Sequence, residues 1–65
     1  LKKQSGMEGM VGETGLVKET LSPHGRVLVH GELWEAECEG EITEGETVRV
    51  DSVNGLKVKV TKIDH

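Results

Sequence analysis

The 65-residue chain contains no phenylalanine and no tyrosine, and Trp34 is its one aromatic residue. Proteins that hold single-stranded nucleic acid stack successive bases on aromatic side chains. The scarcity of aromatic residues therefore argues against base stacking as the function of this protein. Because a single large ring in so short a chain is most useful inside the fold, we predict that Trp34 lies at the centre of the hydrophobic core.

Cysteine is equally scarce. Cys38 is the only one, so the chain cannot form an intramolecular disulfide. The lack of a disulfide scaffold suggests a reducing compartment. Cys38 falls on the apolar side of its segment, where a free cysteine commonly behaves as a small buried hydrophobe. We therefore predict an inert, buried thiol rather than a nucleophile.

Long apolar runs are missing. A transmembrane helix needs about 18 or more apolar residues in succession, and the sequence has no such stretch. The N-terminus does not show the pattern of a signal peptide. We expect no direct membrane insertion by this segment. Because the first residue is Leu1 rather than methionine, we also expect it to be a piece of a longer protein.

Positive charge is in the minority. Eight lysines and arginines face twelve acidic residues, and the formal net charge is −4. The basic residues are scattered, whereas phosphate binding needs clustered Lys and Arg, so nucleic acid and anionic lipid are poor candidate partners. A chain of this length forms one domain that buries roughly 60% of its unfolded surface. It has room for one small core and no deep substrate cleft.

The sequence is rich in short segments where apolar and polar residues alternate, as in half-buried strands. Trp34, Ala36 and Cys38 alternate with glutamates in this way. Turn signals separate such segments at the spacing typical of a small barrel. We predict five strands, over residues 12–21, 26–29, 33–39, 47–53 and 56–61, with a flexible linker over 1–11, the barrel as a whole over 12–62 and a C-terminal tail over 63–65.

Three connections have recognisable turn chemistry. The residues Ser22-Pro23-His24-Gly25 predict a turn with proline at its second position. Asn54-Gly55 predicts a type I′ hairpin. Between the third and fourth strands, Thr43 can cap a single helical turn that Gly45 would end.

These strands predict an all-β fold, a five-stranded OB-fold barrel with a short turn or helical turn between strands 3 and 4. Closure is favoured because it removes exposed strand edges. An SH3-like barrel is the alternative fold.

Four apolar residues fall on the outward side of the predicted strands. A contiguous exposed apolar patch would mark an interface, although a strongly twisted barrel could bury some of these residues at its ends. The candidate partner surface consists of Leu16, Leu28, Leu33 and Val53.

No catalytic or metal-binding set stands out. Glutamates recur at every second position from Glu35 to Glu41, and on an open strand face they are solvated rather than paired in a cleft. The histidines His24, His30 and His65 lack the spacing of zinc ligands. We therefore expect no catalytic residue, no metal and no cofactor.

The last strand carries the best candidate for a basic surface. Lys57, Lys59 and Lys62 share this strand, and Arg49 is expected opposite them. This surface would serve the alternative function, a nucleic-acid-binding OB module. We expect instead that these cations pair across strands, for example Asp51 with Lys57 or Lys59.

Glycine-dominated segments follow one another over most of residues 5–61: SGMEGMVGETG (5–15), LSPHGRV (21–27), GELWEA (31–36), ITEGETVRV (42–50) and VNGLKV (53–58). In this order they resemble the C-terminal soluble domain of NfeD-like membrane proteins. The resemblance implies an OB-fold barrel attached to a membrane-anchored protein. It also implies a stomatin-like (SPFH) membrane protein as partner.

Longer members of this family carry an N-terminal serine protease domain related to the Clp protease fold, which this chain does not contain. The resemblance therefore implies no catalytic residue here. It implies a non-catalytic protein-interaction module that docks a stomatin-like partner or an associated protease domain. We expect it on the cytoplasmic side of the membrane, associated with it only through the parent protein.

The family motif also implies a set of residues that determine the fold. One departure from the motif is Glu19, at a first-strand position where a small or apolar residue would fit better. The implied fold determinants are Gly12, Gly15, Pro23, Gly25, Gly31, Trp34, Ala36, Gly45 and Gly55.

Overall fold

A computed structural model describes residues 10–63, and residues 1–9 and 64–65 lie outside the described part. Most of the predicted linker and tail falls outside it, so the domain boundaries remain predictions. The described part contains five strands: β1 (Thr14–Glu19), β2 (His24–Val29), β3 (Glu32–Glu37), β4 (Thr47–Asn54) and β5 (Lys57–Lys62).

The strands close into a barrel in the order β1-β2-β3-β5-β4, and β4 pairs with β1 to complete the ring. Every neighbouring pair is antiparallel except β3 and β5, which run parallel. The closed five-stranded barrel confirms the predicted all-β OB-fold class over the SH3-like alternative.

The core consists mainly of valines that point inward from the strands. Valine suits a pleated, buried surface because its branched side chain packs well against cross-strand neighbours. Ala36 is the fully covered contribution of β3. The largest fully buried side chains are Val17, Leu21, Val27, Val29, Val48, Val50, Val58 and Val60.

Trp34 is not at the centre of this core, so that prediction was wrong. Its side chain is half-buried and packs against the core instead of forming its centre. Trp34 does share the inward side with its cross-strand partner Val27. However, the ladder between β3 and β5 begins only at Glu35. Trp34 therefore precedes that ladder, and its indole lies at one end of the barrel. The smaller valines fill the middle.

A bulge in β1 changes which side chains point inward. Val17 pairs with Val27, but the next pair is Glu19 with Arg26, so Lys18 is an extra residue. Such a residue shifts the alternation by one position. Glu19 consequently faces outward, and its Oε1 lies 4.0 Å from Nε of Arg26. The departure from the family motif at Glu19 thus leaves no carboxylate in the core.

A second bulge, in β4, has the opposite consequence for Val53. Val50 pairs with Val60 and Ser52 with Lys59, so Asp51 is the extra residue. Val53 then pairs with the buried Val58 and packs against the core. The prediction that Val53 faces outward with the leucines was therefore wrong.

Two tight hairpins shape the barrel end where Trp34 lies. His30 and Gly31 connect β2 to β3, and both have positive φ, +55° and +78°, as a type I′ turn requires. Gly55 and Leu56 connect β4 to β5, with only Gly55 at positive φ, the sign pattern of a type II′ turn. Asn54 is instead the last residue of β4, so the predicted Asn54-Gly55 turn was displaced by one residue.

Two other connections also differ from the prediction. β2 begins at His24 rather than after a four-residue turn, and the Ser22–Pro23 peptide bond is cis. Between β3 and β4, the amide of Glu46 donates to the carbonyl of Thr43 at 3.1 Å, which closes a β-turn instead of the expected helical turn. Leu21 and Ile42 form an isolated β-bridge beside it.

Candidate functional site

Three of the predicted surface leucines form a continuous row across the outside of the barrel. Leu16 on β1 is opposite Leu28 on β2, and Leu28 is opposite Leu33 on β3. Directly opposed residues on neighbouring strands are in side-chain contact range. Leu16 is 38% and Leu33 is 55% exposed, and Leu28 between them is half-buried. We refer to Leu16, Leu28 and Leu33 as the leucine stripe.

A fourth leucine lies beside the Leu33 end of this stripe. Leu56 occupies the second position of the β4–β5 turn and is 76% exposed. In a regular strand, its even spacing from the buried Val58 and Val60 would place Leu56 on the inward side. The signal that could have revealed its position is Gly55, which is suited to the first position of a type II′ turn.

A shallow groove of about 440 Å³ separates β3 from the β4–β5 turn. Trp34 lines this groove, and its Nε1 is buried without a hydrogen-bond acceptor among the described residues. An unpaired buried donor costs roughly 1–3 kcal/mol. The groove is lined by Arg26, Glu32, Leu33, Trp34, Glu35 and Leu56.

Further along β2 and β3, the outer face changes from leucine to paired charges. Arg26 is opposite Glu35, and His24 is opposite Glu37. Oε1 of Glu37 lies 3.7 Å from Nδ1 of His24 and 4.0 Å from Nζ of Lys57. Glu37 thus lies between side chains of both neighbouring strands, on the open, solvated face expected from the sequence.

The basic residues around β5 do not form an uninterrupted positive surface. Nε of Arg49 lies 3.9 Å from Oδ1 of Asp51, and Nζ of Lys62 lies 3.8 Å from Oε1 of Glu46. Asp51 also accepts a hydrogen bond from the hydroxyl of Thr61. Asp51 thus pairs with Arg49 rather than with either lysine proposed for it.

Cys38 lies at the other end of the barrel, in a buried position. Its Sγ is 3.7 Å from the carbonyl oxygen of Gly40 and 3.9 Å from that of Leu21. Burial raises the pKa of the Cys38 thiol, and the nearby carboxylates of Glu41 and Glu39 raise it further. The thiolate is therefore disfavoured, as predicted for an inert cysteine.

The histidines contact carboxylates singly. Nε2 of His30 lies 3.0 Å from Oε1 of Glu13, which links the β2–β3 turn to the segment before β1. His65 lies outside the described residues. Within residues 10–63, no group of three His, Cys, Asp or Glu side chains is arranged to hold a metal ion.

Two of the predicted fold-determining glycines show clear steric or backbone requirements. A Cβ on Gly25 would lie 2.5 Å from the carbonyl oxygen of Glu19 and 2.6 Å from that of Thr20, so the chain passes too closely for a side chain. Gly31 has open space around it, but its φ of +78° disfavours any other residue. These observations explain why glycine suits both positions.

No helix in the part of the chain that the structure describes is long and apolar enough to cross a membrane. The fold and its surface define a small OB-type β-barrel with a row of exposed leucines on one side. Residues 7–62 match the model of the NfeD-like C-terminal, partner-binding domain. The chain belongs to this family, as its sequence motifs indicated.

Its relatives connect this domain with membrane proteins. The membrane-bound protease PH1510 of Pyrococcus horikoshii is 43% identical over 63 residues, which cover 94% of this chain and 14% of that protein. The chain thus spans about one-seventh of this relative's length.

Two solved structures have the same fold. The C-terminal domain of the stomatin operon partner protein 1510-C from Pyrococcus horikoshii has a TM-score of 0.87 and 41% sequence identity, covering 95% of this chain and 100% of that one. The soluble domain of a Corynebacterium glutamicum membrane protein implicated in regulation of membrane protease activity has a TM-score of 0.79 and 29% identity. It covers 85% of this chain and 94% of that one.

Proposed function

We propose that this domain is a non-catalytic protein-interaction module that docks a stomatin-like membrane protein through the leucine stripe. The observation that carries the proposal is the row of Leu16, Leu28 and Leu33, which three neighbouring strands bring together on the outside of the barrel. The family description as a partner-binding domain and the naming of one relative as a stomatin operon partner support it.

The position of the stripe also favours this role. OB folds commonly use the outer face of strands 2 and 3 for binding, and Leu28 and Leu33 lie on that face. Elsewhere on the same face, charged residues pair with one another. Only the leucine part presents side chains whose burial by another protein would be favourable, at roughly 25 cal/mol per Å² of apolar area removed from water.

The wider setting of the domain is part of the proposal. A membrane-bound relative supports attachment to the membrane through a longer parent protein, whose own protease domain is a second candidate for docking. The single cysteine, Cys38, supports the cytoplasmic side, because reducing compartments preserve a free thiol.

The nucleic-acid alternative receives less support from the surface. Arg49, Lys57 and Lys62 each have a carboxylate within 4.0 Å, and the leucine stripe offers no aromatic platform for bases. Single-stranded oligonucleotides included in the binding assay would reveal this function if they bound with a steep salt dependence.

The test is a binding assay between the chain and a purified stomatin-like protein from the same source in detergent. The Leu28→Glu/Leu33→Glu variant should weaken binding by at least about tenfold, because it places two unpaired carboxylates in an apolar interface. Val11→Glu is the matched control, since Val11 is also 53% exposed but precedes Gly12, which bonds to Val50 on β4. Equal binding of the double variant and the control would refute the role of the stripe.

A further inference from the structure

The Leu33 end of the leucine stripe lies at a gap in the sheet, where β3 is not yet paired with β5. Because β2 and β3 are joined by a two-residue turn, Val29 and Glu32 exchange backbone hydrogen bonds, and so do Val27 and Trp34. The N–H and C=O of Leu33, between them, point away from β2. On that side, pairing with β5 begins at Glu35. Among residues 10–63, the backbone of Leu33 is therefore a short strand edge without a ladder partner.

The groove described above opens directly onto this edge. Leu33 and Leu56, the two most exposed leucines, line it from opposite sides. Trp34 lines it as well and has a buried indole N–H with no acceptor in residues 10–63. An unpaired backbone edge beside exposed apolar side chains is the feature that an added strand uses.

The charges of the groove favour a basic ligand. Its two carboxylates, Glu32 and Glu35, have no cationic group within 4.0 Å in the described part of the chain. The one cation of the groove, Arg26, lies 4.0 Å from Glu19, outside the groove. Among residues 10–63, the groove thus carries two carboxylates and one arginine, and Glu32 has no cationic residue opposite it.

We infer that the groove binds a short extended segment of the partner protein, which pairs with the backbone of Leu33 as an added β-strand. The segment presents apolar side chains to Leu33 and Leu56 and a lysine or arginine to Glu32 and Glu35. The inference rests on the proposed function and specifies how the partner is held.

A second copy of the chain is a less suitable occupant. Two copies joined edge to edge at Leu33 would bring the groove carboxylates of both chains close together, because Glu32 and Glu35 flank Leu33 in each. Like charges at such an interface oppose association. A basic segment from another protein meets no such repulsion.

Hydrogen exchange of backbone amides provides the test. The ¹⁵N-labelled chain is exchanged alone and in complex with the purified stomatin-like protein, and residual amide protons are read by NMR after dissociation. The Leu33 amide should exchange at least about tenfold more slowly in the complex, because a hydrogen-bonded amide must open before it exchanges. The Trp34 backbone amide, which bonds to β2, is the internal control and should be protected in both states.

The possible outcomes separate the inference from the proposed function. If the partner binds but the Leu33 amide exchanges at its free rate, the added-strand inference is wrong and the proposed function stands. If protection of Leu33 appears in the free chain and grows with its concentration, a second copy occupies the edge. If the partner does not bind at all, the proposed function itself fails.

A charge reversal tests the basic character of the segment. Glu32→Lys should raise the Kd for the partner roughly fivefold, the size expected from loss of an exposed ion pair. Glu44→Lys makes the same charge change in the turn between β3 and β4, outside the groove, and should leave the Kd within about twofold of the original. Equal effects of the two variants would show that only net charge matters.

Discussion

The outer face of β2 and β3 presents two kinds of cross-strand pair a few ångströms apart. Leu28 and Leu33 form one pair near the connecting turn, whereas Arg26 with Glu35 and His24 with Glu37 form the next two. All these side chains point outward on the same strands. The two kinds of pair differ, however, in the favourable neighbours that the fold supplies to each.

The charged side chains gain favourable neighbours from the fold itself, since Arg26 is opposite Glu35 and Nζ of Lys57 lies 4.0 Å from Oε1 of Glu37. The leucines gain only one another, and Leu33 remains more than half exposed. A folded domain loses nothing by exposing paired charges, but exposed contiguous leucines are unfavourable unless something else covers them. The difference locates the surface that another protein is needed to complete.

The largest expected effect comes from changing the same strand on its two sides. Val27 is fully buried and Leu28, its neighbour, faces outward. Val27→Glu buries a charge without a partner and should cost more than about 3 kcal/mol, which would unfold most of a domain of this size. Leu28→Glu should cost about 1 kcal/mol or less. Urea unfolding followed by circular dichroism measures both.

Similar losses of stability in the two variants would contradict the division between an inner valine layer and an outer leucine stripe. Val27→Ala and Leu28→Ala repeat the comparison without introducing charge. We expect Val27→Ala to cost roughly 2 kcal/mol from lost burial and the cavity it leaves, and Leu28→Ala to cost less.

A smaller effect should follow from removing the indole N–H of Trp34. The Trp34→Phe variant keeps an aromatic ring against the core but removes a buried donor without an acceptor. Loss of ring area and relief of the unpaired donor oppose each other, so the stability should change by no more than about 1 kcal/mol. The midpoint of urea unfolding, followed by circular dichroism, measures the change.

The size of this change shows whether the Trp34 indole N–H has a hydrogen-bond acceptor in the folded chain. A loss well above about 2 kcal/mol would mean that the indole N–H stabilises the folded chain through an acceptor. The Trp34→Ala variant is the control for the ring itself and should be the more destabilising of the two, because it removes the whole packed side chain.

The sequence was sufficient to predict the faces of β2 and β3, and with them two members of the leucine stripe, Leu28 and Leu33. These strands alternate without interruption, so inward and outward positions follow from counting. The family motifs supported the same barrel. The alternation of apolar and polar residues was thus enough to predict that Leu28 and Leu33 face outward.

Local pattern failed where pairing between strands decides the outcome. The extra residues Lys18 and Asp51 shift the alternation in β1 and β4, so Glu19 faces outward and Val53 inward. The residue composition of the two strands does not predict either bulge. Likewise, the depth of Trp34 depends on where β5 begins to pair with β3, a non-local fact that alternation cannot supply.

The smallest expected effect concerns the charged pair beside the stripe. Arg26→Ala, Glu35→Ala and the double variant form a double-mutant cycle across β2 and β3. Because both side chains are exposed, their coupling should be no more than about 0.5–1 kcal/mol and should weaken with added salt. Urea unfolding at low and high ionic strength measures it.

The same variants, tested for partner binding, separate the two kinds of pair. Arg26 lies next to Leu28 and Leu33. Arg26→Ala should nevertheless change partner binding far less than either leucine substitution, because charges at the rim of an interface contribute little to its binding energy. Glu35→Ala should weaken binding modestly, since it removes one of the two carboxylates of the groove. If Arg26→Ala instead abolished binding, the partner would recognise the charged part of this face, and the leucine stripe would be an incidental neighbour of the true interface.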